Sequence, residues 1–282
     1  MVAVDESSAM VARNNLSYFD YLDWKRLNKS LASLDVYTSN SYLLRTPDGV
    51  EPVNAANVSA GFFETLGVTP ALGRTFRAGE GLPSAPHRAV LTYGFWQKRF
   101  GGRRDIIGKT LVLSGEQYTI VGALPADFQF APRGDAELWT PLHPAGCEMR
   151  RGCHDLDGVG RLKRGVSVSA ALAELKIIAK RLEQHYPDSN RGQGVSVESF
   201  SKIVVGPLRS VLITLMSGAL LLLVIAMVNV VSLLLVRSES RRQEMAVRTS
   251  LGASRGRIVM QFLTEGIVLI AEGRHFLRAI PR

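Results

Sequence analysis

From Ser210 to Val236 the chain carries no charged residue, and its few polar positions form no continuous stripe at helical spacing. At about 1.5 Å per residue a helix of that length reaches roughly 40 Å, enough to cross a hydrocarbon core of about 30 Å with some tilt. A helix buried in a soluble core keeps a polar face at such length, so the pattern predicts a membrane span over 206–237. The two hundred residues before it alternate between strand and helix periods. Phe19, Leu22, Trp24, Leu27 and Leu31 recur at helical spacing near the start. Strand-like runs follow at 34–44 and 53–58, separated by the turn Pro47-Asp48-Gly49. A short helix is expected over 59–67, stopped by Gly67, and a Gly/Pro-rich loop from Gly73 to Pro86.

A second block has a strand at Ala89–Leu91, a helix at Tyr93–Phe100 and a hairpin whose arms, 111–113 and 118–121, flank Ser114–Gln117. The third block repeats the logic of the first. A strand at 159–162 leads into a helix at about 169–186, with Leu172, Leu175, Ala179 and Leu182 on one face and Pro187 as its stop. A strand at 195–198 closes the block. The expected fold is an α+β extracytoplasmic domain over 1–205, a split βαβ unit with an inserted mixed subdomain. A transmembrane helix and a short cytoplasmic helical segment, 238–257, come next, and 258–282 starts a further membrane helix before an atypical tail.

Charge sets the orientation. The chain carries a formal +9, and the segment after Val236 holds nine arginines against four glutamates, so it supplies +5 of that excess. Short Lys/Arg-rich segments stay cytoplasmic, which places Arg237 and the residues after it inside and the large domain outside. The basic balance is then a topology signal and not a nucleic-acid footprint, and no nucleic-acid partner is expected. The opening residues 1–6 carry neither signal peptide nor anchor, and the apolar run 258–271 breaks off. The chain therefore reads as a fragment of a longer polytopic protein.

Catalytic constellations are missing from the sequence. The stretch 102–110 imitates a phosphate loop, but five residues separate its glycines where four are needed, and a strand follows in place of a helix. His143, Cys147, Cys153 and His154 have metal-ligand chemistry without paired-ligand spacing. In an oxidising compartment Cys147 and Cys153 can close a small disulfide loop; a metal site or two structural thiols are the alternatives. The residues between the cysteines, 148–152, are expected to be loose. No close acidic pair in a cleft stands out, no cofactor is implied, and an enzyme is not expected. Asn229, the most polar residue well inside the span, is expected to pack on a neighbouring helix or a second subunit, with a merely tolerated amide as the alternative.

The most specific stretch is 241–265. Physically it continues the membrane helix, breaks at Leu251-Gly252-Ala253-Ser254, and starts a new helix that Ser254 can cap. It closely resembles the segment after the second membrane helix in MacB/FtsX-type ABC transporter permeases, whose pattern is Arg-x-Glu-x-Ala-x-Arg-x-x-Leu-Gly-Ala-x-Arg followed by Gln-Phe-Leu-x-Glu. Here Arg242, Glu244, Ala246, Arg248, Leu251, Gly252, Ala253 and Arg255 fill the first part, and Gln261, Phe262, Leu263 and Glu265 the second. The outer domain resembles the periplasmic core domain of that family at 57–68, 72–76, 107–111, 118–122 and 160–166. The resemblance implies a permease of four membrane helices with the large domain between the first two, paired as a homodimer or with a second permease in the inner membrane bilayer. It also implies a separate ATPase subunit, on which Arg242, Glu244, Arg248, Leu251, Gly252, Ala253 and Arg255 would dock. Function is expected in export or lipoprotein handling. A single-span binding or sensor protein is the alternative.

Overall fold

The computed structural model describes residues 1–250 apart from Ala131 and Arg133, together with Met260; for 204, 205, 207, 208, 210 and 240–250 it gives the course of the main chain. Two compact units meet between Arg209 and Ser210.

In the first unit β1 (Val2–Ser7) lies between β10 (His154–Leu162) and β11 (Gly194–Ser199), antiparallel to both. β10 pairs antiparallel with β3 (Leu31–Thr46), giving the order β11-β1-β10-β3. A two-residue strand, β2 (Leu16–Ser17), also pairs with β10. Helix α1 (Tyr18–Leu27) lies between β1 and β3, and α4 (Val168–His185) links β10 to β11 by way of the short α5 (Pro187–Asn190). Two βα units interleaved in this way form the expected split βαβ arrangement. Sequence alone left β1 unassigned. Its alternation is broken by Asp5 and Glu6, both of which are buried.

The remaining elements are inserted between β3 and β10. They are β4 (Gly49–Val58), α2 (Phe62–Leu66), β5 (Leu72–Gly73), β6 (Arg88–Leu91), α3 (Tyr93–Phe100), β7 (Thr110–Leu113), β8 (Glu116–Ala123) and β9 (Leu138–Pro141). Strand β3 changes partner at Tyr37, which faces Asp157 of β10 on one side and Val58 of β4 on the other. From there hydrogen bonding runs β3-β4-β9-β6-β8-β7 and returns to β3 where Leu113 pairs with Leu44, closing a ring of strands. The β7–β8 turn holds Ser114 at φ +51° and Gly115 at +92°, the left-handed pair that a tight hairpin demands.

Three apolar clusters fill the unit. Leu175, Ile178 and Leu182 of α4 pack with Trp24, Leu34 and Val4 over the split sheet. Leu44, Ile106, Leu113, Ile120 and Leu138 fill the ring. Tyr37, Phe62, Phe63, Phe130 and Trp139 form an aromatic layer that includes Val159 of β10. Gly158 shows how closely the strands approach, since a Cβ there would lie 1.9 Å from the Val4 carbonyl oxygen.

The expected face of α1 needs correction. Leu22 and Leu27 are exposed, Leu31 belongs to β3, and the buried positions are Asp20, Tyr21, Asp23 and Trp24. The inward face of this helix combines two ion-paired carboxylates with the aromatic rings of Tyr21 and Trp24 in place of an aliphatic stripe. Helix α6 (Phe200–Ser250) begins in the first unit and continues in the second, where it contains an apolar stretch, Val211–Glu239, whose most apolar 18-residue window has a mean hydropathy of 3.0 and exposed side chains.

Candidate functional site

Helix α1, the start of α2 and the strap joining β5 to β6 line a cleft of about 540 Å³ in the first unit. Tyr18, Tyr21 and Lys25 form one wall, Gly61 and Glu64 the next, and residues 76–82 the third. Volumes of this order are typical of small-ligand sites. The strap is braced from within. Arg74 holds both oxygens of Glu80, at 2.9 and 2.6 Å, and the Arg77 amide donates to the same carboxylate at 2.9 Å. Burial opposes the Glu80 charge, but these donors outweigh it and keep the carboxyl below its ordinary range. Behind the opposite wall Asp35 is almost fully buried and accepts from Ser59 Oγ at 2.7 Å, Thr65 Oγ1 at 2.6 Å and Lys25 Nζ at 2.9 Å. Lys25 also donates to the Tyr21 hydroxyl at 3.0 Å. Burial works against its ammonium, yet Tyr21 and Asp35 prevail and raise its pKa.

Beneath α1 lies the acidic pair that sequence reading missed. Glu6 and Asp20 are 0% and 1% exposed. Arg151 pairs with Asp20 through Nη1 and with Asp23 Oδ2 at 2.7 Å, and its guanidinium carbon lies 3.9 Å from the Tyr186 ring centre. Asn190 Nδ2 donates to Asp20 Oδ2 at 2.7 Å. Glu6 accepts from the Ser17 amide at 2.9 Å, and its second oxygen lies 2.8 Å from His154 Nδ1, close enough for an ion pair but poorly directed for a hydrogen bond. Burial, and then the Glu6 charge, push the Asp20 carboxyl up to about 6 despite Arg151. The Glu6 contact, which outweighs burial, raises His154. No local spacing signals this cluster, because its members come from β1, α1, β10, α5 and the loop before β10.

Cys147 and Cys153 have their α-carbons 5.6 Å apart and their sulfurs in bonding contact. The loop between them, expected to be loose, makes specific contacts. It contains a 3-10 turn at Gly146–Met149, Glu148 accepts from the Ala145 amide, and Arg151 is seated between carboxylates. The sequence cluster His143, Cys147, Cys153 and His154 is dispersed: His143 Nδ1 meets the Leu82 carbonyl while His154 faces Glu6. The imitation phosphate loop runs through a 3-10 turn, Arg104–Ile106, into strand β7, so no helix starts there.

Asn229 lies within the apolar stretch with its side chain exposed. Arg242, Glu244 and Arg248 lie on the main chain of α6, which is helical to Ser250. Leu251, Gly252, Ala253 and Arg255 lie outside the described residues.

The chain thus combines a mixed α/β unit with a helix long and apolar enough to cross a membrane. Residues 3–178 match the MacB-like periplasmic core domain, and residues 216–273 match the FtsX-like permease C-terminal domain. The chain belongs to the MacB-like periplasmic core domain family. Over 216 residues it is 24% identical to the macrolide export ATP-binding/permease protein MacB of Neisseria gonorrhoeae, covering 75% of this chain and 32% of that protein. Over 240 residues it is 23% identical to the uncharacterized ABC transporter permease YknZ of Bacillus subtilis, covering 84% and 58%. This chain thus spans only part of the length of those relatives. In fold, the periplasmic region of MacB from Actinobacillus actinomycetemcomitans superposes with a TM-score of 0.51 at 14% identity, over 69% of this chain and 87% of that one.

Proposed function

We propose that the chain acts as the permease part of an ABC-type transporter. A separate ATPase subunit hydrolyses ATP, and the chain converts the resulting motion into a change in its outer unit, in export or lipoprotein handling. The carrying observation is the succession of an α/β unit of that family, a long apolar helical stretch and an arginine-rich continuation of the same helix. In this reading 1–205 lie outside the inner membrane, 206–237 cross it, 238–257 form a cytoplasmic coupling segment and 258–282 begin the next span. Arg242, Glu244, Arg248, Leu251, Gly252, Ala253 and Arg255 dock on the ATPase, with the permease working as a homodimer or as one of a pair and Asn229 packing against a neighbouring helix. The oxidising outer compartment favours the Cys147–Cys153 bond. The chain itself carries out no catalysis in this scheme.

Cysteine substitution and impermeant labelling test the orientation. In a background lacking Cys147 and Cys153, position 196 reacts from outside the cell and position 240 does not; equal labelling of both sinks the topology. Replacing Gly252 with Val in the assembled transporter tests coupling, because a β-carbon restricts backbone conformations that glycine reaches freely. Membrane insertion should persist while substrate-stimulated ATPase activity is lost. Normal stimulation in that variant would leave a basic anchor on anionic lipid as the better account of the segment.

A further inference from the structure

The seven-residue ring closed by Cys147 and Cys153 contains the arginine that holds α1 in place. Arg151 sits two residues from Cys153, bridges Asp20 and Asp23 of α1, and lies over Tyr186 just before α5. The same helix carries Tyr18, Tyr21 and Lys25 on its cleft side. We propose that the disulfide is a redox-set latch on the wall of this cleft: closing it seats Arg151 and fixes α1, and opening it frees α1 to move and reshape the cleft. The inference rests on the proposed disulfide and is independent of the transport reading.

The physical argument starts from the carboxylates. Asp20 and Glu6 are withdrawn from water, and a buried charge without a partner is strongly unfavourable. Among the described residues, Arg151 and His154 are the cationic side chains that contact this pair. With the ring closed, the ends of the loop are held 5.6 Å apart, which limits how far the residues between them can move. With the ring open, the same residues can extend to roughly 20 Å, and keeping Arg151 seated then costs more chain entropy. Once it leaves, the α1 carboxylates gain by moving toward water. Closure proceeds by thiol–disulfide exchange. An external disulfide takes the two electrons and two protons of the Cys147 and Cys153 thiols, one sulfur–sulfur bond forms in the protein, one breaks in the oxidant, and two external thiols are released.

The sequence contains two cysteines, so a reductant acts on this bond alone. Hydrogen exchange read by mass spectrometry on the full chain in lipid nanodiscs provides the test, with and without a phosphine reductant. Reduction should raise amide exchange of α1 at least tenfold while α3, in the inserted ring, stays unchanged. Cys147→Ser with Cys153→Ser should reproduce the reduced pattern. Arg151→Met should show fast α1 exchange even when oxidised, with reduction adding less than twofold. Unchanged α1 exchange on reducing the wild type overturns the latch, and so does a rise shared equally by α3. A further tenfold rise when Arg151→Met is reduced also overturns it, because the bond would then act independently of the arginine. The wild-type arm decides the question even if a substituted chain fails to fold.

Discussion

The split βαβ unit buries five carboxylates, Asp5, Glu6, Asp20, Asp23 and Asp35, whereas the ring of strands inserted into it buries none among the described residues and relies on Leu44, Ile106, Leu113, Ile120 and Leu138. Both regions share β3, so one strand borders an apolar cluster edged by buried ion pairs at its first half and a purely hydrocarbon interior at its second. The contrast teaches where conditions can act. A close-packed apolar interior responds to lost volume and hardly to proton or salt concentration. A buried ionic network responds to protonation and to any change that removes a counter-charge.

The largest expected effect comes from the apolar side. Trp139 is almost fully buried among Phe62, Phe63, Phe128 and Phe130, and Trp139→Ala should destabilise the first unit by about 3–5 kcal/mol. Denaturant unfolding should give the same loss at low and at high salt; a salt-dependent loss would break the comparison. Asp35→Leu comes next. It strips the acceptor from Ser59, Thr65 and Lys25 and should cost about 2–3 kcal/mol, with a clear dependence on ionic strength.

The pH dependence is subtler and sharpens the contrast. Asp20 is raised to about 6 and His154 is also raised, so both favour the folded state when protonated. Their contributions are complete on the acid side. The Asp20 part is lost as pH rises from its ordinary 3.8 through about 6, and the His154 part above its ordinary 6.5. Asp5, raised by burial, works in the same direction, whereas Glu80 and Glu174 lose their contribution as pH falls below 4.5. The groups facing Asp20 are Glu6 on β1, Arg151 in the loop, Asn190 on α5 and, through Glu6, His154 on β10. Melting temperature should therefore fall between pH 5 and 8, and Asp20→Asn should flatten the lower part of that fall only. A stability that rises across this range would contradict the network.

Local chemistry made much of this architecture legible. The run Tyr93–Phe100 reads as a helix, β7 and β8 flank a turn with a glycine, and α4 repeats Leu172, Leu175, Ala179 and Leu182 at helical spacing before Pro187. The apolar helix was equally plain, since its signal is length and uniformity. What stayed hidden depends on partners distant in sequence. β1 is polar at Asp5 and Glu6 because Arg13 and the Gly158 amide meet the first, and the Ser17 amide and His154 the second. Leu22 and Leu27 suggested the wrong face of α1 because hydrophobicity counts carboxylates as outward, and Arg151, more than a hundred residues away, reverses that rule. The cleft belongs to the same class, since α1 and the strap of residues 76–82 meet only through the fold.

The position of β1 also bears on the order in which the chain can fold. It precedes the other strands of this unit in the chain, yet its two neighbours are β10 and β11, and its register with β11 runs from Val2 opposite Ser199 to Ser7 opposite Gly194. Nearly the whole outer unit must exist before this strand has a place, whereas the ring built from β3 to β9 can close on contacts made earlier. Pairings of such long sequence separation are slow to form, and an unpaired strand awaiting them is a template for association between chains. Two adjacent acidic residues at the heart of Val2–Ser7 are an effective guard during that wait, because charge discourages a free strand from pairing with its copies. The carboxylates that make the finished unit sensitive to its surroundings thus also protect the unfinished one.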